Sequence, residues 1–226
     1  MDSFTRILPR LVAPLGATLL SCLPIAPAAA AVSPALISFT PGVIGGSEDF
    51  AGTVGWDFRL ERSLLVGNLG FYDAEDPGLL SSHEVGIFDA TSRALLVSGT
   101  IPAGSSAPLY NGFRWISIPY VALPAGSYVI AAVMPGTGAS SFDPFVALAS
   151  DPVLAAGVVL DGQSLSGAVS PAALVFPDTD EDSFAGFYGP NFAEVHVPAP
   201  LPLAGAATAL GWSRRLRRRT HRQARR

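Results

Sequence analysis

The chain contains no lysine, one cysteine and three histidines among its 226 residues. Each shortage narrows the chemistry. Without lysine there is no Schiff-base nucleophile or ammonium-derived base. The lone thiol, Cys22, lies inside an N-terminal apolar run, so no disulfide framework can form. His221 falls in the basic tail, which leaves His83 and His196 as the imidazoles of the body. A serine triad needs an imidazole held by a carboxylate and facing a serine, and no Gly-x-Ser-x-Gly elbow occurs. The inventory reads as that of a protein that is not an enzyme and carries no cofactor.

Positive charge is scarce wherever it would matter for the body. All 14 basic residues are arginines, and eight of them lie at or beyond Arg214. Between residues 32 and 197 there are four arginines against seventeen carboxylates, a net of −13. An acidic body repels phosphate backbones, so nucleic acid is excluded as its partner, whereas cations are not.

Apolar residues make up 49% of the chain, enough for one sizeable core, and 23 glycines with 20 prolines point to many turns between short strands. Residues 1–31 have the order of a signal peptide. Arg6 and Arg10 precede an apolar stretch over 11–23, and Pro24 and Pro27 lead to small residues that place cleavage after Ala30 or Ala31. The alternatives are a buried N-terminal helix and a lipoprotein signal at Cys22, behind Leu19-Leu20-Ser21.

From Thr53 onward the apolar period is close to two, broken every eight to twelve residues by Gly, Pro, Asp or Ser. Strands are predicted over 53–60, 64–73, 83–89, 95–101, 112–118, 127–134 and 191–197. The run 127–134 is almost wholly apolar and is expected at the centre of a sheet. Asp76-Pro77-Gly78, Pro102-Ala103-Gly104 and Pro124-Ala125-Gly126 read as turns. Residues 135–183 read as loops and edge strands. The expected fold is all-β, an antiparallel β-sandwich of jelly-roll-like form occupying 32–197, with an N-terminal signal helix and a short C-terminal apolar helix.

The region 198–226 is an address rather than a domain. Pro198, Pro200 and Pro202 cannot sit inside a helix, so any helix begins near Pro202. The apolar segment 203–212, with Leu203, Leu210 and Trp212, spans about 15 Å as a helix against a hydrocarbon core of about 30 Å. Arg214, Arg215, Arg217, Arg218 and Arg219 follow it as a stop-transfer cluster that stays cytoplasmic, the segment being a transient anchor; the alternatives are a permanent tail anchor and a soluble basic tail that binds acidic partners.

This arrangement resembles the PEP-CTERM sorting signals, in which a proline motif, a short apolar helix and an arginine cluster are handled by an exosortase-type membrane protease. The matching motif is Val197-Pro198-Ala199-Pro200, with Ala199 where the usual glutamate stands. The body resembles the DUF4082-like β-sandwich ectodomains found ahead of such signals. Val54-Gly55-Trp56-Asp57-Phe58, Leu69-Gly70-Phe71-Tyr72-Asp73, residues 82–89, residues 123–129 and Gly189-Pro190-Asn191-Phe192 carry that likeness. It implies a fold and an address and no activity. The partners implied are signal peptidase and the exosortase-type protease, with transient anchoring in the inner membrane before release to the cell surface or the extracellular space.

Three clusters in the body bear weighing. His83 and Glu84 are neighbours on a strand and point to opposite faces, so they cannot cooperate. His83 is expected to face the 73–76 loop, anchoring it through hydrogen bonds or, alternatively, forming a metal-binding corner. Asp178, Asp180 and Asp182 alternate as hard-cation ligands do, yet the EF-hand template fails at Ser183 and Gly189; the alternatives are a looser calcium site and a solvated loop. Trp56, Tyr72, Tyr110, Trp115 and Tyr120 are of the type that stacks on sugars, with Trp56 and Trp115 expected in the core. Two roles follow for an exported protein of this kind. One is a structural or interaction protein of the cell surface, extracellular matrix or biofilm; the other is a carbohydrate-binding module for exopolysaccharide, assisted by calcium if the acidic loop holds it.

Overall fold

A computed structural model describes residues 32–42, 51–73, 78–136, 143–146, 149–168, 173–180 and 186–195. The predicted signal region 1–31 with Ala30 and Ala31, the sorting motif from Val197 to Pro200, the anchor residues Leu203, Leu210 and Trp212, and the arginine cluster lie outside these residues, as do Asp76, Pro77, Asp182 and His196. In chain order the strands are β1 (Val32–Pro34), β2 (Leu36–Thr40), β3 (Ala51–Leu60), β4 (Leu64–Tyr72), β5 (His83–Asp89), β6 (Leu95–Ile101), β7 (Leu109–Tyr110), β8 (Phe113–Leu123), β9 (Gly126–Pro135), β10 (Ser150–Leu154), β11 (Val158–Ala168), β12 (Thr179–Asp180) and β13 (Pro190–Val195). No helix occurs among the described residues.

Every pairing is antiparallel. A five-stranded sheet runs β1-β13-β4-β8-β7, a six-stranded sheet runs β12-β11-β3-β9-β5-β6, and β10 pairs with β2 in a small third sheet. The two large sheets face one another in a sandwich-like arrangement, with β6 against β8, β4 against β5 and β13 against β9. The chain changes sheet at two adjacent corners. Residues 61–63 carry it from β3 to β4, and Pro124-Ala125 carry it from β8 to β9. The strand ends at these corners are paired, Leu64 with Leu123 and Leu60 with Gly126.

Alternation explains which side chains enter the core. On β3, Val54, Trp56, Phe58 and Leu60 point inward; on β4, Leu69 and Phe71 do so; and Phe58 and Phe192 approach to 4.7 Å between ring centroids. Strand β9 is buried on both faces, as its nearly unbroken apolar run requires. Tyr128, Ile130, Ala132 and Met134 join the main core, while Val129 and Ala131 join Phe88 in a second cluster covered by Leu174 and Phe176.

Most predicted strands stand where alternation placed them, β5 and β6 with the same bounds. Strand β8 runs on to Leu123, beyond the predicted end at Ile118. The segment read as loops and edge strands contains β11, which is not at the edge, because it pairs with β3 on one side and β12 on the other. Its apolar start, Val158-Val159-Leu160, gives way to Asp161-Gly162-Gln163 where the register against β3 shifts, and that break hides the period.

Candidate functional site

His83 is fully buried at the start of β5. Its Nε2 donates to Asp143 Oδ2 at 2.9 Å, and its Nδ1 lies 2.9 Å from the Val133 carbonyl oxygen. Phe71 stacks on it in parallel at 3.9 Å. Asp143 also accepts the backbone N–H groups of Leu80 and Ser81, at 2.8 Å each. Burial pushes its carboxyl up, but the bonds from His83, Leu80 and Ser81 outweigh this and hold it below the ordinary carboxylate value. The expected partner, the 73–76 loop, is not the one His83 meets. With both nitrogens engaged, the ring has none left to take a proton from a nucleophile, so this is an anchoring pair that ties the 143–146 segment to β5. Glu84, on the other face of β5, accepts from Ser98 Oγ.

Asp73 belongs to a second buried pair. Arg114 Nε donates to its Oδ2 at 2.8 Å, and the same guanidinium reaches the Ala107 carbonyl at 3.1 Å. Sequence reasoning passed over Arg114. The signal was available: one arginine inside the buried run Phe113-Arg114-Trp115 requires a buried acceptor.

The described part of the acidic run, residues 178–180, lies elsewhere, at β12 on the outer edge of the six-stranded sheet. Asp178 is exposed and 3.9 Å from Arg93, whose guanidinium lies over the Phe176 ring at 5.2 Å. The backbone of Asp180 pairs with Leu165. No group of three or more His, Cys, Asp or Glu among the described residues could hold a metal ion.

Of the aromatics, Trp56 is wholly buried with its indole N–H on the Pro190 carbonyl, and Trp115 is buried with its N–H on the Tyr110 carbonyl. Tyr72 is half-buried against Phe39 and Phe113. Tyr110 and Tyr120 remain exposed, at 54% and 62%. Both belong to the five-stranded sheet, so neither lies in the sheet that borders the Asp178 segment.

Tyr120 stands at a defect in that sheet. The register of β4 against β8 shifts between Val66/Val121 and Asn68/Ser117, so that Ile118, Pro119 and Tyr120 all lie opposite Gly67. Against β13 the register shifts at the same place, between Ala193 and Glu194. Pro119 has no N–H to give to the ladder, which accounts for the interruption. Gly67 is required: a Cβ there would lie 2.2 Å from Val195 and 2.9 Å from the Tyr120 ring. The resulting cleft, about 510 Å³, is lined by Gly67, Asn68, Ser117, Ile118, Tyr120 and Val195 together with Pro119, and none of these is charged. Ser117 Oγ donates to Asn68 Oδ1 at 3.2 Å within it. Comparison of the chain with family models, with curated proteins and with solved structures returned no match.

Proposed function

We propose that the chain is an exported structural or interaction protein of the cell surface or extracellular matrix, delivered by an N-terminal signal and sorted by a PEP-CTERM-like C-terminal signal. The observation that carries this reading is the pairing of the first described strand with the last: β1 lies antiparallel to β13, with Val32 opposite Val195. The proposed cuts after Ala30 or Ala31 and at Val197-Pro198-Ala199-Pro200 both fall just outside this pair. A body closed by its own terminal strands tolerates processing at either end without losing a core residue. The jelly-roll-like form proposed for the sandwich suits such a role, since it demands only a stable fold on an address.

On this reading Leu203, Leu210 and Trp212 hold the tail in the inner membrane for a time, and the arginines behind them are too costly to translocate. Signal peptidase and an exosortase-type protease then free the acidic body. The test replaces Arg214, Arg215, Arg217, Arg218 and Arg219 with glutamine in a host that carries an exosortase, and follows an epitope placed in the body by fractionation and mass. The unaltered protein is expected outside the inner membrane with its tail removed, and the variant with its full C-terminal mass in the wrong fraction. Recovery of the unaltered protein outside the cell with Arg226 still attached overturns the proposal.

A further inference from the structure

We propose that the cleft at the Gly67 bulge binds a neutral saccharide, with a pyranose ring stacked on Tyr120 and its hydroxyls met by Asn68 and Ser117. The argument starts from what the defect costs. Strand β4 lies between β13 and β8 in the five-stranded sheet, where continuous ladders are the stable solution. A glycine in one strand opposite a proline in the next forfeits ladder bonds and side-chain packing at an interior position. Bulges of this kind re-aim a side chain, and here the side chain re-aimed is Tyr120. Its ring lies over Gly67 and is otherwise open to solvent, so the sheet places a large apolar surface where it contributes little to the core.

The chemistry of the lining selects the ligand class. A flat aromatic face favours a partner with a face of C–H groups. Ser117 donates to Asn68 Oδ1, which leaves the amide Nδ2 as a donor and the hydroxyl lone pairs as acceptors on two residues that line the cleft. With no charged group in the lining, a ligand with ionised groups would be desolvated without compensation. A neutral polyol with one apolar face, which is the description of a pyranose, satisfies all three conditions. The volume of about 510 Å³ is within the range of small-molecule sites. Tyr120 remains exposed on this face, and among the described residues Phe39 of β2 packs at its other end, on Tyr72 and Phe113. The site is independent of the export reading, since it would bind sugar whether or not the tail is processed.

The experiment titrates the full-length chain with neutral gluco-, manno- and xylo-hexasaccharides by calorimetry. At least one is expected to bind, with an affinity unchanged between low and high salt because no ion pair forms. Tyr120→Ala is expected to weaken it at least tenfold, Tyr120→Phe to stay within about threefold because the ring still stacks, and Tyr110→Ala to leave it unchanged. Tyr120 is exposed, so thermal unfolding of its variants should match that of the parent; Asn68→Ala serves as a second probe that leaves the ring in place, and should weaken binding severalfold. Binding to none of the three, binding indifferent to both Tyr120→Ala and Asn68→Ala, or binding confined to a charged glycan or a proline-rich peptide overturns the proposal.

Discussion

His83 and Asp143 show how a few polar atoms can fix one segment of an otherwise apolar body. The carboxylate accepts from His83 Nε2 and from the amides of Leu80 and Ser81, so it holds three donors from β5 and the residues just before it. Removing the imidazole leaves a buried carboxylate short of its strongest partner, and His83→Ala is expected to destabilise the fold by about 3–5 kcal/mol. The pH dependence has a definite sign. The folded-state pKa of Asp143 is depressed, so its contribution is fully present above the unfolded carboxyl value of 3.8 and is lost as pH falls through the lower folded value. Asp143→Asn keeps the shape but offers one acceptor where two were used, and should cost about 1–3 kcal/mol at neutral pH. Urea unfolding of parent and variant from pH 7 to pH 2 should show that gap narrowing toward acid. A gap that stays constant with pH would mean the carboxylate charge contributes nothing.

At the scale of strands, the pairing of β3 with β9 runs without a register break from Ala51/Pro135 to Leu60/Gly126, and it tolerates no extra atom at its centre. A Cβ on Gly55 would fall 2.1 Å from the Ile130 carbonyl oxygen and 2.8 Å from Ala131 Cα, both backbone atoms that cannot step aside. Gly55→Ala is therefore expected to cost about 3 kcal/mol, at the upper end for overpacking. Gly104→Ala makes a useful contrast. Nothing lies within 4 Å of that site, and only its φ of +78° resists a side chain, so about 1 kcal/mol is expected. Equal unfolding midpoints for the two variants would refute this reading. The same elements show why some of the fold could be read in advance. Strands β5 and β6 are apolar runs bounded by turn residues, Ser81-Ser82 before β5 and Pro102-Ala103-Gly104 after β6, and β9 is apolar because the second cluster covers its outer face. Strand β11 breaks its own period at residues 161–163, and β1 and β2 are runs of three and five residues separated at Ala35, so neither offered a countable pattern. The cleft was harder still. Tyr120 could be singled out as an aromatic of the right type, but its exposure depends on Pro119 and Gly67, which lie 52 positions apart and meet only through pairing across the sheet. Asp143 was likewise invisible as the partner of His83, because 60 residues separate them.

The described body is closed by the pairing of its first strand with its last, and the closure can be dissected by truncation. The segment from β1 through β2 contributes more than an edge strand. Leu36 is wholly buried, and its backbone N–H and carbonyl are both bonded to the side chain of Asn191, which is itself fully buried on β13. The Ala35 N–H donates to the Phe192 carbonyl, and the Ala155 N–H donates to the Ala35 carbonyl, joining the same segment to the chain after β10. Chain removed on either side of 32–197 should therefore matter little, while chain removed inside that range should matter a great deal. A protein trimmed to residues 32–197 is expected to melt within about 2 °C of the full chain, a shift well under 1 kcal/mol for a body of this size. Trimming to residues 41–197 strips the core of Leu36, worth about 2–5 kcal/mol by itself, and strands the Asn191 amide at about 1–3 kcal/mol more. Together these approach the whole stability of an ordinary domain, so the shorter piece should fail to unfold cooperatively. Thermal unfolding of the three lengths followed by circular dichroism decides the matter. A cooperative transition for 41–197 near that of the longer forms would show that the terminal pairing is ornamental, and would remove the structural support for cuts placed just beyond it.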